Sequence, residues 1–247
     1  MTRKTKIQES FTTFFVLLLL VIAMFCLLMN LVKNSEVGEP YLDVTAQLPG
    51  KHEIEVMQGK SEYLILINKT YGLHETDEPE YLVMVSFRAD NRPAQYQKLR
   101  AEAAAAFDRL AQEAKGQGLT IVVTTAYRPY SYQKQLNDTY LKSNGQLWTE
   151  NYSAEPGHSE HQTGLAADVS SPSAGYELKQ AFADTAEGKW LADNAHRFGF
   201  IIRYPEGREA ITGYKYEPWH IRYVGAGPAA EIYNGNLTLE EYLGEVK

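Results

Sequence analysis

The stretch HSEHQTGLAADVS, residues 158–170, places two histidines, two acidic residues and a glycine within thirteen positions of a chain that has only six histidines. A solvated loop explains the polarity. A metal site explains the polarity and the glycine together. His161 and Asp168 stand seven residues apart. As ligands of one metal, each at about 2.0–2.2 Å, their donor atoms would lie within roughly 4 Å of each other. Seven extended residues span about 23 Å, so the chain must reverse between them. Gly164 sits where that reversal would have to occur and can take up positive φ. His158, Glu160 and His161 are all ligand types, and spacing alone does not rank them.

A catalytic zinc commonly takes three protein ligands and leaves a fourth position for water. YEPWHIRYVG (216–225) offers His220 as the third, with Glu217 three residues before it. Pro218 argues against a helix interior, so this segment reads as the lead into a strand. Residues three apart face opposite sides of a regular strand. Glu217 and His220 therefore share a site only if Glu217 lies in the bend before the strand. HSEH is not the helical H-E-x-x-H arrangement of other zinc peptidases.

Taken together, these segments resemble one family. SEHQTGLAAD (159–168) resembles the S-x-H-x-x-G-x-A-x-D signature of VanY-type D-alanyl-D-alanine carboxypeptidases. EPWHIRYVG resembles their E-x-W-H segment, and AYRPYSYQ (126–133) is similar to a third motif through Arg128 and Gln133. The order and separations also fit, over roughly residues 50–235. The resemblance implies that His161, Asp168 and His220 bind Zn2+ and that Glu217 is the general base. It also implies that Arg128 stabilises the developing oxyanion and that Arg128, Gln133 and Ser159 contact the substrate. The implied fold is a small α+β zinc-peptidase domain with a mostly antiparallel sheet and flanking helices. The implied substrates are the D-amino-acid ends of peptidoglycan stem peptides.

The residue types suit that chemistry. Two neutral imidazoles and one carboxylate leave a zinc site near +1, which can lower the pKa of water to near 7. A carboxylate can relay its proton to a leaving amine, and a permanently charged guanidinium can face the tetrahedral oxygen. Two other readings share the motifs. One is an L,D-carboxypeptidase acting on tetrapeptide stems; the other is a non-catalytic zinc-containing binding module of Hedgehog type. A binding module has no use for a base beside the zinc, so Glu217 favours an enzyme.

The N-terminal part speaks to location. Phe11 to Val32 is almost wholly apolar and uncharged. Its 22 residues would make a helix of about 33 Å, enough for a hydrocarbon core of about 30 Å. Arg3, Lys4 and Lys6 precede it, placing residues 1–10 in the cytoplasm by the positive-inside rule. The run is longer than a signal-peptide core and lacks a good cleavage site. The expectation is a single-pass anchor (11–32), a linker (33–50) and an extracytoplasmic catalytic domain (51–247) held at the cell membrane. The only cysteine, Cys26, lies in the apolar run, so the exported part has no intramolecular disulfide. Outside the anchor region, 20 basic and 30 acidic residues give a net charge of −10, which argues against nucleic acid.

Strands are expected within 61–69, 80–87, 119–127, 200–204 and 220–224. A helix is expected between Gln95 and Gly118, where Leu99, Ala103, Phe107, Leu110 and Ala114 recur at helical spacing. Further helices are expected after Ser131 as a cap, over 186–198, and after Thr238 as a cap.

Overall fold

The computed structural model describes residues 62–246, so the anchor (11–32) and linker (33–50) lie outside the described residues. Among the described residues, which all fall within one compact unit, no helix is long and apolar enough to cross a membrane.

Two antiparallel sheets organise the domain. β1 (Leu82–Met84) pairs with β2 (Lys98–Arg100). β3 (Val122–Thr125), β4 (Ala166–Ser170), β5 (Phe200–Ile202) and β6 (His220–Tyr223) form a sheet ordered β3-β4-β6-β5, antiparallel at each step. An isolated parallel bridge joins Arg88 to Val123. Helix α1 (Ala101–Gly116) carries the expected 3.6-residue pattern and buries Ala103, Phe107, Leu110 and Ala114. It packs on the face of the larger sheet that presents Val123, Ala167, Val169, Phe200 and Ile221. The sheet and flanking helices make the α+β domain anticipated from the sequence.

The remaining helices are α2 (Tyr130–Asn144), α3 (Gln146–Tyr152), α4 (Ala186–Asn194), α5 (Glu209–Thr212), α6 (Ala226–Gly235) and α7 (Leu239–Leu243). Thr238 caps α7 as expected, within a capping box completed by Glu241.

Several expectations are corrected. The cap of α2 is Pro129 rather than Ser131; proline fixes φ near the helical value and lacks the N–H that a first turn leaves unpaired. The helix expected from Gln95 begins only at Ala101, because Lys98–Arg100 pair in a strand. Residues 62–69 join no sheet among the described residues: 62–63 form a turn, 64–67 have no regular assignment and 68–69 lie in a bend. Leu64 and Leu66 pack into one apolar cluster and Ile65 and Ile67 into another. The period of two is real, but both faces are buried. The carbonyls of Tyr63 and Ile65 accept hydrogen bonds from the Arg222 guanidinium rather than from a neighbouring strand. Strand β4 and helices α3, α5 and α6 were not anticipated: β4 is a short run interrupted by the charge of Asp168, α5 is four residues long, and α3 and α6 carry weak apolar periodicity.

Candidate active site and metal centre

Alternation along the central strands separates the core from the site. On β4, Ala167 and Val169 face α1, which leaves Asp168 on the opposite face; on β6, Ile221 faces α1, leaving His220 and Arg222. The register sets Asp168 directly across from His220 and Ala166 across from Arg222. Asp168 Oδ1 lies 3.0 Å from His220 Nδ1. His161 arrives from a 3₁₀ turn, Glu160–Thr163, that ends on Gly164 in the left-handed conformation at φ 68°. That reversal brings His161 Nε2 to 3.3 Å from Asp168 Oδ2. One donor atom from each of His161, Asp168 and His220 falls within 4.8 Å of the others, and all three residues are buried.

The outer partners decide which nitrogens face inward. His161 Nδ1 lies 2.6 Å from the Ala126 carbonyl oxygen, which can only accept, so the proton is assigned to Nδ1 and Nε2 is free to ligate. His220 is turned the other way, with Nε2 against Glu160 Oε2 at 3.4 Å and Nδ1 against Asp168. Burial lowers the pKa of His161, favouring the neutral ring. Burial alone would also depress His220, but the carboxylates of Asp168 and Glu160 on its two nitrogens outweigh it and raise it to about 9. Burial would raise the Asp168 carboxyl, yet the two imidazoles beside it hold it well below the usual carboxylate range. An ionised carboxylate flanked by two imidazole nitrogens is a donor set that fits a divalent cation of the zinc type.

Glu217 lies in the bend before β6, where the His220 amide donates to the Glu217 carbonyl at 3.1 Å. This meets the condition for sharing a site, and Glu217 Oε2 is 3.8 Å from His220 Nδ1. Burial pushes the Glu217 carboxyl up to about 7, although the side chain keeps one edge on the cleft. Arg128 follows β3. Its Nη1 donates to Gln133 Oε1 at 2.7 Å, while Gln133 Nε2 donates to the Ala154 carbonyl at 2.7 Å. Gln133 thus holds the guanidinium while tied to the Ala154 carbonyl. Arg128 Nε is buried with no partner among the described residues, and the Arg128 side chain lines the cleft. Ser159, the residue before the 3₁₀ turn, lines the same cleft of about 600 Å³. All seven residues singled out from the sequence, His161, Asp168, His220, Glu217, Arg128, Gln133 and Ser159, line this one cleft.

The two ligand types that spacing could not rank are placed elsewhere. His158 Nδ1 lies 2.7 Å from the Asn68 carbonyl, outside the cluster. The Glu160 carboxylate faces Arg203 Nε and Arg222 Nη1, both at 2.7 Å, and the rear of His220. Arg203 in turn grips Glu240 of α7 through both terminal nitrogens. Both arginines are fully buried. Sequence reasoning passed over this ionic cluster. Its signal was present: an arginine inside each of the apolar runs FIIRY and HIRYV is a charge that must be paired if the strand is buried.

Against known proteins, residues 96–226, more than half of the chain and including all seven residues, match the family model described as VanY: D-alanyl-D-alanine carboxypeptidase. The Bacillus subtilis protein YodJ is 45% identical over 196 residues, covering 78% of this chain and 71% of the relative. The Enterococcus gallinarum bifunctional D-Ala-D-Ala dipeptidase and carboxypeptidase VanXYC is 38% identical, covering 72% and 92%. Among solved structures, the LdcB LD-carboxypeptidase superposes with a TM-score of 0.70 at 45% identity, covering 74% of this chain and 86% of that one. A mutant VanY D,D-pentapeptidase in complex with Zn(II) gives 0.60 at 31% identity, covering 73% and 98%. This chain belongs to the VanY D-alanyl-D-alanine carboxypeptidase family.

Proposed function

We propose that the protein is a membrane-anchored, zinc-dependent D,D-carboxypeptidase that removes the terminal D-alanine from peptidoglycan stem peptides outside the cytoplasm. Family membership supports a carboxypeptidase of peptidoglycan peptides. One observation carries the finer reading: His161, Asp168 and His220 converge beside Glu217 and Arg128 on an open cleft.

His161 Nε2, Asp168 and His220 Nδ1 would hold the zinc, which when bound supplies an acidified water and a polarised scissile carbonyl. Glu217 takes a proton from the attacking water. It delivers that proton to the amide nitrogen as the C–N bond breaks, so the D-alanine leaves as an amine. Arg128, held by Gln133, presents its guanidinium to the carbonyl oxygen as charge develops there. Ser159 lines the cleft within reach of the peptide. The apolar run 11–32 would tether the domain beside the wall, where stem peptides are.

A second reading, L,D-cleavage of tetrapeptide stems, is favoured by the 45% identity to LdcB against 31% to the VanY structure. The full chain, purified in detergent and loaded with zinc, should release D-alanine from a pentapeptide stem. Release from a tetrapeptide stem alone would select the L,D reading, and release from neither would overturn both. Removal of residues 1–33 should move the protein from the membrane to the soluble fraction; a truncated chain that stays with the membrane would overturn the anchor.

A further inference from the structure

The buried cluster behind the site has a geometry that bears on the metal ligand in front of it. Glu160 is 1% exposed, and its Oε1 accepts from Arg203 Nε and Arg222 Nη1, both at 2.7 Å. Its other oxygen, Oε2, faces His220 Nε2 at 3.4 Å. The arginines are themselves fixed. Arg203 makes a two-pronged contact with Glu240, at 2.6 and 2.9 Å, and Asn68 donates to the same carboxylate. Arg222 Nη2 donates to the carbonyls of Tyr63 and Ile65 at 2.9 and 2.7 Å. An ionised carboxylate only accepts hydrogen bonds. With Oε1 taken by two guanidinium groups, Oε2 presents an acceptor and nothing else to His220.

We propose that Glu160, clamped by Arg203 and Arg222, is a positioning residue that keeps the His220 proton on Nε2 and so commits Nδ1 to the metal. The cluster draws on distant parts of the chain: the segment around Tyr63, the turn before Gly164, β6, the end of β5, and α7 through Glu240. A ligand held this way is oriented before the metal arrives, which is how outer partners of metal-bound histidines contribute. The inference rests on the zinc reading proposed above.

Glu160→Gln is the informative substitution. A glutamine whose oxygen faces the arginines turns its NH₂ toward His220 Nε2, where donor meets donor. The ring must then move its proton to Nδ1, the nitrogen needed by the metal, or swing away. Zinc affinity of the full-length E160Q chain, measured by competition with a chromophoric chelator, should fall about 10–100-fold. The rate constant kcat should fall as well, while KM for the stem peptide stays near that of the parent. A role confined to folding would instead lower the melting temperature and leave the zinc affinity of the folded fraction unchanged, and that result overturns the proposal.

Should E160Q fail to fold, the parent decides. In the zinc-loaded, ¹⁵N-histidine-labelled full chain, long-range ¹⁵N–¹H correlation should show His220 protonated at Nε2 and ligated through Nδ1. A proton on Nδ1, or ligation through Nε2, would refute it. A parent that takes up no divalent cation removes the metal reading and this inference together, whereas a zinc-loaded parent beside an equally zinc-loaded E160Q removes only the inference.

Discussion

Asp168 on β4 and His220 on β6 stand directly opposite each other in an antiparallel ladder, with Asp168 Oδ1 3.0 Å from His220 Nδ1. Two donors of the candidate metal centre are thus a cross-strand pair, and backbone hydrogen bonds fix their separation. His161 completes the group from a turn rather than from the sheet. Asp168→Ala should keep the ladder, since the backbone pairing is untouched, and yet lower zinc affinity by more than the about 10–100-fold that losing an outer partner costs. Circular dichroism and chelator competition on one preparation check both halves.

Zinc uptake should release a proton. In the metal-free protein His220 is raised to about 9, so near pH 7 the ring carries two protons, and the one on Nδ1 must leave before a metal binds. The sign follows: apparent affinity is greatest above pH 9 and falls about tenfold for each unit below it while one proton is displaced. Calorimetry in buffers of different ionisation enthalpy should report at least one proton released per zinc near pH 7.5. A pH-independent affinity between 6 and 8 would contradict this account of His220.

Glu217 couples function and stability in opposite directions. Glu217→Gln should retain zinc and reduce turnover by about 10²–10⁴, the usual worth of a general base. In the metal-free protein burial raises the Glu217 carboxyl from 4.5 to about 7, so folding opposes its ionisation. The parent therefore loses stability as the pH rises from about 4.5 to about 7, and the neutral variant does not. The melting temperature of metal-free E217Q should exceed that of the parent at pH 8 by more than it does at pH 5.

Arg128 and Gln133 should behave as one unit of unequal parts. Arg128→Ala should lower kcat/KM by about 10²–10³, as for a lost oxyanion donor. Gln133→Ala leaves the charge but frees the guanidinium from its 2.7 Å hydrogen bond, for an expected loss of about 10–100-fold. The double variant should be little worse than R128A alone; full additivity would show that Gln133 acts independently of Arg128.

Gly164→Ala tests the reversal that joins His161 to Asp168. The backbone there has φ 68°, and an added Cβ would lie 2.9 Å from Leu82 Cδ2. The left-handed conformation alone costs about 1–2 kcal/mol, which for a domain of this size lowers the melting temperature by about 2–8 °C. Zinc affinity should fall with it, because His161 sits on that turn.

The signals that survived from sequence to structure were local ones. The glycine between His161 and Asp168 and the placement of Pro218 ahead of His220 each limit the backbone nearby. They made the ligand types, the reversal and the strand legible before any fold was known. The helical pattern of Phe107, Leu110 and Ala114 and the cap at Thr238 were legible for the same reason.

What the linear order could not contain was which face met which. Glu160 and His161 are neighbours of equal ligand character, and only the pairing with Arg203 and Arg222, beside His220 on the same face of the sheet, turns Glu160 away from the centre. Residues 62–69 carry a strand's pattern, yet buried packing on both faces and the side chain of Arg222 replace a ladder partner. The tautomers of His161 and His220 were likewise settled by contacts with Ala126 and Glu160, 35 and 60 residues away. Periodicity and turn chemistry act over a few residues and are written in the chain; the partners of a buried charge come from wherever the fold brings an opposite charge within reach, and only the tertiary structure decides that.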